Sequence, residues 1–216
     1  MTEKEKMLAG LPYDPADHTL AADRCRAQTL CRRICLDPFG EAAARTALLK
    51  ELFGSTGTDV YVEPNFRCDY GYNIHVGEGF YANYDCIMLD SAPITIGDGC
   101  RFGPRVSLIT ATHPVEAERR CWRDDIPYEG EYARPITIGD NCWIATNVTI
   151  IGGVTVGCGS VIGAGSVVTK DIPDWSIAAG NPCRVIRRIT ESDRRKLFHE
   201  EEIDEEAWEM ICAQNK

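Results

Sequence analysis

The sequence predicts a mainly β chain folded as a parallel β-helix, a solenoid of short stacked strands. Three observations predict it. From Ile138 to Pro173 the chain reads in sixes: IGDNCW, IATNVT, IIGGVT, VGCGSV, IGAGSV and VTKDIP. The first place holds Ile138, Ile144, Ile150, Val156, Ile162 and Val168, and the fifth holds Cys142, Val148, Val154, Ser160, Ser166 and Ile172. Small residues recur in second place, at Gly139, Ala145, Gly157 and Gly163. A helix, whose faces recur about every 3.6 residues, cannot hold a strict period of six. A short strand followed by a tight corner can, with branched aliphatics on the pleat and glycine where the corner needs positive φ. One such unit buries almost nothing alone, so copies must stack, roughly 4.8 Å apart, into aliphatic ladders. A glycine-rich sandwich is the alternative, and six repeats in phase argue against it.

The elements follow in order. Residues 3–53 read as helical: Leu30, Ile34, Leu48, Leu49, Leu52 and Phe53 recur among Ala- and Arg-rich segments, which LDPFG interrupts. A helical hairpin here covers the open end of the solenoid. From Val60 the repeats start raggedly. Val76 to Phe80, Ala82 to Cys86 and Met88 keep the beat, and after a two-residue slip Ile96 to Cys100, Phe102-Gly103 and Leu108 resume it. Thr112 to Pro135, THPVEAERRCWRDDIPYEGEYARP, has no period and is charged and aromatic. A solenoid carries such a stretch as an external loop, and long loops on rigid scaffolds carry function. ITIG restarts the coil, and DWSIAAGNPCRVIRRI after Pro173 reads as the last strand and exit. In the acidic end, Thr190-Glu191-Ser192-Asp193 reads as a capping box, and Leu197, Phe198, Ile203, Trp208 and Ile211 form a loose apolar stripe. The expected organisation is a helical segment 1–57, a β-helix 58–189 with an excursion at 112–135, and a helical tail 190–216. The tail reads as a helix packed on its own assembly, with a partner-binding role as the alternative.

Composition narrows the function. A formal net charge of −10 argues against nucleic acid or an anionic membrane as partner. No apolar run approaches the roughly 20 residues of a membrane span, and MTEKEKM has no signal-peptide core. Eleven cysteines without CxxC pairs, several on repeat core positions such as Cys100 and Cys142, read as reduced thiols in a cytoplasmic protein.

These stretches also carry a family resemblance. The hexapeptides resemble those of the left-handed parallel β-helix and the acyltransferases built on it. The left hand comes from the resemblance, because crossovers in general prefer the right. EKEKMLAGLPYDPADHTLAADRCRAQ and VEPNFRCDYGYNIHVGEGFYANYDCIMLD resemble the maltose and galactoside O-acetyltransferases, and the maltose type most. That resemblance implies an acetyl-CoA-dependent O-acetyltransferase, a homotrimer acting on a sugar hydroxyl without a metal. The family's interval between TATHP and ITIG is usually shorter, so WRDDIPYEG reads as an insertion, and 190–216 is extra to most members.

Residue by residue, TATHP matches the family's catalytic histidine motif and makes His113 the general base. An imidazole titrating near neutrality can take the proton of an acceptor hydroxyl as it attacks a thioester carbonyl, in direct transfer within a ternary complex. Asn83 and Tyr81 in FYAN match the acceptor and acyl pocket, where an amide can support the tetrahedral oxyanion. Asp69 and Tyr70 in RCDYG, Glu131 in GEYARP, and Asp17 and Arg24 match acceptor-side positions, with Asp14 an equal rival to Asp17. Trp143, Thr146, Ala164, Thr169, Lys170, Arg184 and Arg187 match the coenzyme A site. Small residues there let a pantetheine arm lie along the coil, and the cations meet phosphates.

Other readings stay open beside this one. A γ-type carbonic anhydrase shares the helix but needs three histidines on one zinc, and only His75 and His113 fall in the repeat region. A structural solenoid would keep the ladder without TATHP, FYAN and VTKD together. An acyl-enzyme on Cys86 or Cys121 is a further route. Serine and xenobiotic acetyltransferases are the nearest enzymatic rivals, and the N-terminal segment favours the sugar branch.

Overall fold

The computed structural model describes residues 1–36, 42–120, 130–196 and 201–214. Its body is a three-faced parallel β-helix whose coils run from face two to face one to face three. Face one carries the strands Val60–Val62, Phe80–Ala82, Arg101–Phe102, Trp143–Ile144, Val161–Ile162 and Ser176–Ala179, closed by an antiparallel Arg184–Arg188. Face two carries Ile74–Val76, Ile94–Ile96, Ile136–Ile138 and Thr155–Val156. Face three carries Arg67–Cys68, Ile87–Leu89, Ser107–Ile109, Thr149–Ile151 and Val167–Val168.

The period of six becomes the core. In-register pairing stacks Val62, Ala82, Phe102, Ile144, Ile162 and Ala178 inside face one. Cys68, Met88, Leu108, Ile150 and Val168 stack inside face three, and Val76, Ile96, Ile138 and Val156 inside face two. Both repeat columns of Ile138–Pro173 are buried throughout. The corner between faces two and one needs positive φ, met by Gly79, Gly99, Asn141 and Gly159. A Cβ on Gly159 would strike the indole of Trp175, so glycine is required there.

The N-terminal half of the expectation holds in outline. The expected hairpin forms as α2 (His18–Leu36) and α3 (Ala42–Leu52) on either side of LDPFG, and a separate short helix, α1 (Glu3–Leu8), precedes them. Residues 9–17 are not helical: Gly10 has φ 68° and Pro12 and Pro15 interrupt the ladder. LDPFG begins at the end of α2, and its residues 37–40, with Glu41 after them, lie outside the described ones. Leu30 and Ile34 of α2, Leu49 and Leu52 of α3, and Phe53 join the solenoid core, covering its open end. Phe53 meets Phe66 edge-on at 5.6 Å.

The excursion leaves face three through Ala111–Thr112, which pairs antiparallel with Tyr132–Ala133. This two-rung stem carries a short helix, α4 (Ala117–Arg120); residues 121–129, which hold Cys121 and most of the insertion, lie outside the described ones. Thr190 and Asp193 form the expected capping box, but on a 3₁₀ turn, Glu191–Asp193, rather than an α-helix. A C-terminal helix, α5 (Glu205–Gln214), follows, with Trp208 under the guanidinium groups of Arg194 and Arg195 at 5.7 and 5.8 Å. Of the apolar stripe, Leu197 and Phe198 lie outside the described residues; Ile203 and Trp208 are half-buried and Ile211 exposed.

Candidate active site

The predicted residues gather on two different edges of the prism. Where face three turns to face two stand Asp69, Tyr70, His113, Glu131, Thr169 and Lys170. On face one, and where it turns to face three, stand Tyr81, Asn83, Trp143, Thr146, Ala164, Arg184 and Arg187. Within one chain these sets are not brought together.

The first edge owes its shape to the slip between Met88 and Ile96. There the chain turns through Asp90, Ser91 and Ala92, all buried. The Asp90 carboxylate accepts three backbone N–H groups, from Asp69 at 3.1 Å, Tyr70 at 2.8 Å and Asn73 at 3.3 Å. Burial nonetheless pushes its pKa up to about 6, against the pull of those donors. Asp90 thus ties down the turn that presents Asp69 and Tyr70. The Tyr70 phenol accepts from Arg24 at 2.8 Å, and Arg24 also donates to the Pro15 carbonyl at 2.6 Å. Burial raises the Tyr70 pKa to about 12. Asp69 is raised by burial and by the neighbouring Glu131 carboxylate, with Arg24 opposing. Asp69, Glu131 and Arg24, half-buried, therefore form one cluster of acceptors and donors around the buried Tyr70.

Asp17 stands apart from it. Its carboxylate caps α2, accepting from Thr19 at 2.9 Å and Leu20 at 3.2 Å, and the Leu20 bond is the main cause of its lowered pKa. Asp14 caps locally too, accepting from Ala16 at 2.8 Å. His113 is exposed at the end of the excursion's stem, directly before Pro114. His75 is elsewhere, on face two, with Nδ1 2.9 Å from the Ser55 hydroxyl.

The second edge is a groove wall. Register sets Tyr81, Arg101, Trp143, Val161, Ile177 and Arg187 in one outward column of face one. Tyr81 stacks on Tyr61 at 6.0 Å, and Trp143 is 54 % exposed. At the adjoining corner Gly103, Ala145, Gly163 and Ala179 follow one another up the coils. A Cβ on Gly163 would stand 2.8 Å from that of Ala179, so the seam stays narrow, with Thr146 and Ala164 beside it. Arg184 pairs with Ala179 at the top. Asn83 begins the same corner one coil lower; its Oδ1 accepts from Tyr84 N–H at 2.7 Å, which leaves Nδ2 turned to other partners. Arg187 is held by Asp193 through two bonds of 2.8 and 2.7 Å. Sequence reading missed Tyr13, Asp90, Ser91 and Arg101. Arg101 had a signal, since its place in the repeat fixes its column; the other three had none.

Cys86 is fully buried, its thiol pushed up to about 11 by burial and donating to the Gly103 carbonyl at 3.4 Å. A thiol so placed carries little thiolate at neutral pH. The cysteines of the described residues are free thiols. Among the described residues no three His, Cys, Asp or Glu side chains are grouped to hold a metal.

A hexapeptide-repeat helix with a histidine at an excursion's stem and a small-residue groove defines the class: a hexapeptide-repeat acyltransferase. The models of known families agree, the maltose acetyltransferase hexapeptide capping motif matching residues 6–57 and the bacterial transferase hexapeptide, six repeats, matching 135–170. Galactoside O-acetyltransferase of Escherichia coli is 41% identical over 205 residues, 94% of this chain and 98% of its own. The crystal structure of a maltose O-acetyltransferase from Clostridium difficile is 50% identical with a TM-score of 0.83, covering 88% of this chain and 99% of that one. A galactoside acetyltransferase in complex with coenzyme A is 41% identical with a TM-score of 0.87, covering 94% and 99%. The chain belongs to the maltose and galactoside O-acetyltransferase family, and its solenoid is the left-handed β-helix of that family.

Proposed function

We propose that the protein transfers the acetyl group of acetyl-CoA to a hydroxyl of a sugar, maltose-, glucose- or galactoside-like, with His113 as general base. The observation that carries the sugar is the cluster at the first edge. Two carboxylates and a guanidinium, half-buried together over the buried Tyr70 phenol, match the hydroxyl donors and acceptors of a polyol. The donor fits the second edge, where a narrow seam suits a pantetheine arm and Arg184, Arg187 and, from the other edge, Lys170 suit phosphates. In the step itself His113 takes the hydroxyl proton while the sugar oxygen bonds to the thioester carbon. Asn83 Nδ2 faces the developing oxyanion; the carbon–sulfur bond then breaks, and the thiolate takes the proton from the imidazolium. A panel of maltose, glucose, methyl galactoside, serine and chloramphenicol, each with acetyl-CoA and a free-thiol readout, tests the acceptor. Release of thiol only with serine or chloramphenicol would replace the sugar by a rival acceptor.

The split of site residues over two edges supports a homotrimer, in which the His113 edge of one copy meets the face-one edge of the next. Light scattering should report three chains, and a fully active monomer would overturn the arrangement. Lys170→Ala or Arg187→Ala should raise the acetyl-CoA KM about tenfold, more than it lowers kcat. Unchanged acetyl-CoA dependence in both variants would remove these residues from the donor site. No helix of the described residues is long and apolar enough to cross a membrane. Free thiols in this number suit a reducing compartment, and the cytoplasm is the proposed location.

A further inference from the structure

Tyr13 belongs to no repeat and no helix, yet it is only 2 % exposed. It sits between α1 and α2, in a small cluster with Met7, Leu20 and Tyr70. Its main chain is bridged to the far end of the excursion: Tyr13 N–H donates to the Glu131 carbonyl at 3.0 Å and Glu131 N–H returns to the Tyr13 carbonyl at 3.2 Å. Gly130 makes the approach possible, with φ 73° and a position where a Cβ would collide with the Tyr13 carbonyl oxygen. The phenol then donates to Glu131 Oε1. Burial and the Glu131 bond both hold the phenol proton in place well above working pH.

A buried phenol needs a partner for its hydroxyl, and here the partner is a carboxylate of the acceptor-side cluster. Glu131 and Asp69 repel each other, so Glu131 left to itself would swing towards solvent. We propose that Tyr13 is a positioning residue that holds the Glu131 carboxylate against Asp69 and Arg24, making the N-terminal segment part of acceptor recognition. This rests on the acceptor-side reading of Glu131. The helical cover of the solenoid thereby has a second task, bracing the returning end of the excursion from outside the repeats.

The test is steady-state kinetics of Tyr13→Phe, Glu131→Gln and the double variant, with acetyl-CoA and the best-used sugar among maltose, glucose and methyl galactoside. Tyr13→Phe keeps the ring and its packing and loses only the donor. It should raise the sugar KM about tenfold while kcat and the acetyl-CoA KM stay within about twofold. Glu131→Gln should do the same, and the double variant should be no worse than the poorer single one, because both remove one interaction. Unchanged sugar KM in Tyr13→Phe beside a raised one in Glu131→Gln would overturn the positioning role, as would full additivity or an equal loss for both substrates. Unchanged sugar KM in Glu131→Gln, or no sugar turned over, would instead sink the acceptor-side reading beneath it. The unaltered acetyl-CoA KM, with the melting temperature, reports that each variant is folded.

Discussion

His113→Ala is expected to lower kcat by about 10²–10⁴-fold, the usual contribution of a positioned general base, and to leave the acetyl-CoA KM near its original value. In the proposed direct transfer the enzyme needs no nucleophile of its own, since the acceptor supplies the hydroxyl. Proton removal and oxyanion support are what remain for the protein. His113 is proposed for the first task. It is exposed at the end of a stem whose rungs pair Ala111 with Ala133 and Thr112 with Tyr132, so its backbone is held while its ring faces outward solvent or substrate. The residues of face one proposed to hold the donor lie on another edge and are untouched by the change. Asn83→Ala should also be slow, because the developing oxyanion loses an amide donor. Near-normal turnover in His113→Ala would assign the base elsewhere. A trapped acetyl-enzyme would replace direct transfer by a ping-pong route, which the buried, high-pKa Cys86 thiol disfavours.

Asp90→Ala is expected to cost about 3 kcal/mol or more of stability, because it strips three backbone N–H groups in a buried turn of their acceptor. Water does not reach a fully buried position cheaply, so the loss is not made good by solvent. The turn it supports presents Asp69 and Tyr70, so acceptor KM should rise along with the loss of stability. The pH dependence has a definite sign. The folded-state pKa of Asp90, about 6, lies above the usual carboxylate value, so the native state binds this proton more tightly than the unfolded chain. Its contribution is fully present below the unfolded pKa and is lost as pH rises through about 6. The stability gap between the parent protein and Asp90→Ala should therefore widen as pH falls from neutrality towards the unfolded value. Urea midpoints at fixed protein concentration measure this. A gap that is small, or that narrows on acidification, would mean the turn is held by something other than this carboxylate.

The solenoid was legible because its pattern is local and repeated. Each coil buries the same two places, so Ile138 through Val168 announce the ladder and the mismatch at Thr112–Pro135 announces the excursion. Position within a repeat also determines the face, which is why Tyr81 and Trp143 fall in one column with Arg101 between them. The proposed roles of His113 and Asn83 rest on short motifs alone. The break over residues 9–17 was less legible, since Gly10, Pro12 and Pro15 sit among good helix formers. Tertiary structure alone decided the rest. Asp90 looks like any acidic loop residue until the two-residue slip folds it inward beneath residues 17 to 21 positions away. Tyr13 and Glu131 are 118 positions apart. No periodicity can pair them, because their meeting depends on where a helical cover and a returning loop come to rest on a finished solenoid. Local hydrophobic rhythm specifies the scaffold; only the closed fold brings distant polar groups within bonding distance.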